Sequence, residues 1–107
     1  MTAREIIDFA KKQIEWNNGQ IEWTRKQIDY CNRQLKRTRA EDADLKAFAL
    51  ERYPDDPMTE RVYGGKYVGR ETRKLMNERA GYYRDIKRYE KWIVTYRKQI
   101  ADFSRYL

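Results

Sequence analysis

From Ile7 the chain repeats every seven residues, as IDFAKKQ, IEWNNGQ, IEWTRKQ, IDYCNRQ and LKRTRAE. One column holds Ile7, Ile14, Ile21, Ile28 and Leu35; a second, two residues on, holds Phe9, Trp16, Trp23 and Tyr30. Seven residues are close to two helical turns. Each column is therefore a stripe along one helix, supercoiled in the left-handed sense where it packs continuously. Between the two stripes run a small or polar column (Ala10, Asn17, Thr24, Cys31, Thr38) and a glutamine column (Gln13, Gln20, Gln27, Gln34). The span from Ile to aromatic covers roughly 150°, wider than the narrow seam of a two-stranded coil.

The C-terminal third repeats in another register. Tyr82, Tyr89, Tyr96 and Phe103 align, and Ile86, Ile93, Ile100 and Leu107 follow four residues on. Alternating steps of four and three make the a/d seam of a coiled coil. Val68 and Leu75 extend the aromatic column backwards, whereas Thr72 and Arg79 leave the Ile column unextended. Gly81, inside this helix, costs about 1 kcal/mol relative to Ala.

End signals divide the chain further. Thr2 and Glu5 fit a capping box, so a first long helix runs over about 3–39. Asn18-Gly19 is a possible turn, but the heptad phase passes through it unbroken, which argues for helix. Glu41-Asp42-Ala43-Asp44 breaks the apolar column. Leu45, Phe48, Ala49 and Tyr53 then form a short amphipathic helix over about 42–53, separate or as a bent continuation, and Pro54 ends it. Asp56-Pro57 opens a further short helix over 57–63 with Gly64-Gly65 as its stop. A Gly-Gly hairpin between 61–63 and 66–68 is the rival reading. The last helix covers about 70–106.

The pattern predicts an all-α fold of one domain, residues 1–107, built as a long antiparallel helical hairpin with a short helical connector. Each long helix would measure roughly 55 Å at 1.5 Å per residue. The first has more apolar face than one partner helix covers. The surplus goes to the 42–63 segment, to a different protein, or to a second copy in a homodimeric four-helix bundle. The glutamine column offers carboxamides to the hydroxyls of Tyr89 and Tyr96, or else is a half-exposed flank.

Composition narrows the function classes. The 107 residues include no His and one Cys, which removes His-based triads, His-ligated metal sites and an internal disulfide. Cys31 sits in the small column, as a packed thiol rather than a nucleophile. No apolar run approaches the ~20 residues of a membrane span. The lone thiol and the absence of a recognisable targeting segment fit a cytoplasmic protein. Gly64-Gly65-Lys66 with Gly69 matches neither phosphate-loop spacing, and the acids at 41–44 and 55–56 lack the calcium-loop spacing. No enzyme class, cofactor, metal site or small-molecule substrate is implied.

Charge adds one more candidate. The net charge is +7, and residues 70–107 carry eleven Lys and Arg against five Asp and Glu. Arg84, Lys91, Lys98 and Arg105 recur every seven residues opposite the Ile/Tyr seam, flanked by Lys87, Arg88 and Arg97. Such a rail suits phosphates, bound without sequence preference and with strong salt dependence; a solvated coiled-coil face would look the same.

The sequence thus predicts a non-enzymatic interaction module, an adaptor or small inhibitor. It would hold a protein or nucleoprotein partner through Phe9, Trp16, Trp23 and Tyr30, with the homodimer as an expected assembly. The alternatives are direct DNA or RNA binding by the basic last helix, and a purely structural self-assembling coiled coil.

Overall fold

A computed structural model describes all residues, 1–107, and shows three helices and no strand. They are α1 (Ala3–Arg52), α2 (Pro57–Tyr63) and α3 (Arg70–Ser104). The long helices α1 and α3 pack against each other as an antiparallel hairpin, and α2 lies in the connector.

The ends follow local chemistry. The Thr2 hydroxyl accepts from the Glu5 N–H at 3.2 Å and donates to the Glu5 carboxylate at 3.1 Å, capping α1. Asp56 accepts from the Met58 N–H at 2.8 Å and caps α2, with Pro57 opening it. Gly64 ends α2 by donating its N–H to the Glu60 carbonyl. The rival hairpin does not form. Helix α1 passes through Asn18-Gly19, as the heptad phase predicts.

One boundary differs from the sequence expectation. Residues 42–53 are not a separate helix, because α1 continues unbroken to Arg52. The reason lies at Asp42, in the position where Ile or Leu would continue the column. Its carboxylate accepts the Thr72 hydroxyl at 2.6 Å and the Gly69 N–H at 3.0 Å. Gly69 directly precedes α3, so a carboxylate from α1 satisfies the first orphan amide there and complements the positive helix end. A Cβ at Gly69 would collide with that carboxylate, which accounts for the glycine. Thr72, expected to interrupt the Ile column, continues it as a buried polar partner.

The chain divides into two compact units: Met1–Ile28 with Ala80–Leu107, and Asp29–Arg79. In the first unit the core comprises Ile7, Ala10, Ile21, Ile28 and Ile93, with Asn17 and Thr24 buried among them. The small column is the closest packed part of α1: Ala10 is 0% and Thr24 1% exposed. Its polar members bond back to their own helix. Asn17 donates to the Gln13 carbonyl and Thr24 to the Gln20 carbonyl, each at 2.7 Å, which leaves no orphaned donor in the seam. The glutamine side chains make no bond to Tyr89 or Tyr96; they form a half-buried flank.

In the second unit Cys31, Leu35, Thr38, Ala49 and Leu75 are buried. Polar links join its helices. Arg79 donates to the Asn32 side chain at 2.9 Å, and Arg37 bridges Glu41 and Glu71 at 2.9 and 3.0 Å. Lys46 donates to the Gly65 carbonyl at 2.8 Å, and Tyr63 packs on Tyr67 around the Gly64-Gly65 bend.

Candidate functional site

Three aromatic rungs cross the first unit. Phe9 meets Tyr96, Trp16 meets Tyr89 and Trp23 meets Tyr82, with ring centroids 6.2–6.3 Å apart and planes at 78–84°. These edge-to-face pairs descend α1 as they ascend α3, one per heptad, as the two seven-residue columns require of antiparallel helices. Each pair contributes about 0.5–1.5 kcal/mol beyond area burial.

The rungs are not closed core. Trp16 is 56% and Trp23 54% exposed, while their Tyr partners are half-buried. The α1 rings thus use an edge or face to hold the hairpin and present the rest to solvent. Trp92 stacks on Tyr96 at 5.9 Å with planes 26° apart, and it is 50% exposed. All three tryptophans of the chain therefore belong to one ladder face. Sequence reasoning missed Trp92. It stands outside the Tyr and Ile columns, in a column that otherwise reads Asp85, Gln99 and Tyr106, so no repeat announced it.

Tyr30, the fourth residue of the sequence stripe, lies in the second unit. It is half exposed and joins no ring pair.

Gly19 lies beside the ladder, in the column of Lys12 and Lys26. It falls three residues after Trp16 and four before Trp23, hence on the same side of α1. A Cβ there would meet no atom within 4 Å, so no packing constraint asks for glycine. The helix accepts there a residue about 1 kcal/mol worse than Ala, in that exposed flank column.

The other side of the Ile seam is different. An open groove of about 530 Å³ is lined there by Asn18, Glu22, Arg25, Glu90, Val94 and Arg97 over Ile21 and Ile93. Both charge signs occur in it.

The structure separates the seven cations of the basic rail. Arg84, Lys91, Lys98 and Arg105 keep one exposed column. Arg88 leans to the ladder, its guanidinium 5.4 Å from the centre of the Tyr89 ring and 3.6 Å from Asp85. Arg97 lines the mixed-charge groove, and Lys87 is exposed with no ion pair. Only Arg37 and Arg88, of 24 basic side chains, form ion pairs, so almost all the positive charge is free.

The second unit has its own apolar patch. Leu45, Phe48, Tyr53, Met58 and Val62 are exposed around a groove of about 280 Å³ between the end of α1 and α2. Away from this groove, the Cys31 thiol is buried near Glu78 and Arg79; desolvation first, and then Glu78, push its pKa up, with Arg79 opposing. No group of three or more Cys, Asp or Glu side chains is placed to hold a metal ion, and no helix is long and apolar enough to cross a membrane.

No family model, curated protein or solved structure matches this chain.

Proposed function

We propose that the chain is a non-enzymatic interaction module, an adaptor or small inhibitor, that engages a protein or nucleoprotein partner through the aromatic face of its first unit. The observation that carries this reading is the half-exposed ladder of Phe9, Trp16, Trp23 and Trp92. Large aromatic side chains dominate interface energetics once desolvated, and ordinary monomer surfaces do not group them. The rings are also fixed by their Tyr partners, which lowers the entropy lost on binding.

A tagged full-length chain used as bait in cell extract, with half the extract treated with nuclease, tests this. A stoichiometric protein that survives nuclease and is lost with the Trp16→Ala/Trp23→Ala chain is the expected result. Recovery of nucleic acid alone, with every protein lost on digestion, overturns it.

That second outcome belongs to direct nucleic-acid binding. The exposed column of Arg84, Lys91, Lys98 and Arg105, free of ion pairs, supports this second reading.

A further inference from the structure

We propose that a cavity in the second unit binds a small phosphate monoester, with Arg39, Lys46 and Lys66 taking the phosphate and an apolar wall taking the organic body. The cavity lies wholly within Asp29–Arg79 and shares no residue with the aromatic ladder.

The starting point is Lys46. Every other lysine of the chain is exposed; this one is half-buried. Its ammonium donates to the Gly65 carbonyl at 2.8 Å and keeps two further hydrogens to donate. No carboxylate lies within ion-pair distance of it. A cation drawn partly out of water calls for a counter-charge. Asp42, four residues earlier, has the helical spacing to supply one. Its carboxylate is held instead by the Gly69 N–H and the Thr72 hydroxyl.

Lys46 lines a cavity of about 510 Å³, inside the usual range of small-ligand sites. Arg39 joins it from the same column of α1, two turns earlier, and Lys66 joins it from the connector. Neither forms an ion pair. Asp42 is the one acid in the lining, so the cavity holds an excess of two positive charges. The wall between these groups is Ala43, Tyr67, Val68 and Met76, and the Thr72 hydroxyl is already committed to Asp42.

The ligand's chemistry follows from that lining. A monocarboxylate, or a phosphodiester with its single charge, answers only half of the excess. A dicarboxylate of matching size spreads its charge along its length, against the apolar wall. A phosphate monoester gathers nearly two negative charges and three acceptor oxygens in one group and leaves its body uncharged. Ammonium and guanidinium groups bond those oxygens with charge assistance.

The test titrates the full chain, labelled with nitrogen-15, with phenyl phosphate. Amide resonances locate the binding and calorimetry measures it. Inorganic phosphate supplies the charge without a body, benzoate the body with one charge, and an unphosphorylated single-stranded oligonucleotide the diester. Phenyl phosphate is expected to saturate, to shift amides within 39–46 and 65–76, and to bind about tenfold more tightly than inorganic phosphate or benzoate. Lys46→Gln weakens it about tenfold. Lys66→Gln, at an exposed position, does the same, so a folding defect at Lys46 cannot hide the result. Lys11→Gln/Lys12→Gln removes two charges from the first unit and leaves the affinity near the wild-type value. Benzoate binding as tightly, an oligonucleotide that displaces phenyl phosphate, or shifts centred on the basic column of α3 overturns the proposal. So does equal weakening by the Lys11/Lys12 pair, or the absence of any saturable shift.

Discussion

Asp42 shows how one residue reconciles a polar sequence with a continuous helix. Its carboxylate holds the Thr72 hydroxyl and the Gly69 amide. Asp42→Ala leaves both without that acceptor, and with Thr72 buried the expected loss is about 2–3 kcal/mol in urea unfolding. Asp42→Asn keeps one acceptor and should lose less. Gly19 makes the opposite prediction: with open space around its α-carbon, Gly19→Ala should stabilise the chain by up to about 1 kcal/mol, seen as a higher Tm. Cys31 gives a pH signature. Burial pushes its thiol above the ordinary value of 9.0, so the native chain keeps the proton to higher pH than the unfolded chain does. Above that value the unfolded state binds fewer protons, and stability falls as pH rises. The Cys31→Ala chain should lack this part of the slope, and the wild-type thiol should resist aromatic disulfide reagents until the chain unfolds.

At the scale of elements, the two heptad columns and the antiparallel hairpin were legible because a seven-residue repeat has few structural meanings. The centre of the α1 seam was harder to see. A hydrophobic reading favours Ile and aromatic columns, yet the small column between them packs closest, with Asn17 and Thr24 satisfied by their own helix. Asp42 and Thr72 look like interruptions when each helix is read alone; laid antiparallel, the two breaks coincide and become a polar rung. Arg79 is another such break, answered by Asn32. The aromatic columns looked like either core or interface; the rings set one edge on tyrosine and leave the rest in solvent. A double-mutant cycle on Trp16→Leu and Tyr89→Leu should therefore return a coupling of about 0.5–1.5 kcal/mol in thermal unfolding. A coupling near zero would mean that the rungs do not bridge the helices.

For the whole molecule, the net charge of +7 and the near absence of ion pairs set the terms of association. Free cations speed encounter with any acidic surface and make it salt-sensitive, while a desolvated aromatic surface holds a complex once water has left. The same cations would serve phosphates if the ladder were inert. The most direct measurement is the amount of protein partner retained from nuclease-treated extract by three full-length chains: wild type, Trp16→Ala/Trp23→Ala and Lys91→Glu/Lys98→Glu, each with its helicity checked. The account predicts that the tryptophan pair loses the partner at unchanged helicity, while the lysine pair keeps it with greater sensitivity to salt. Full retention by the tryptophan pair, with loss confined to the lysine pair, would contradict it and make the basic column the binding surface.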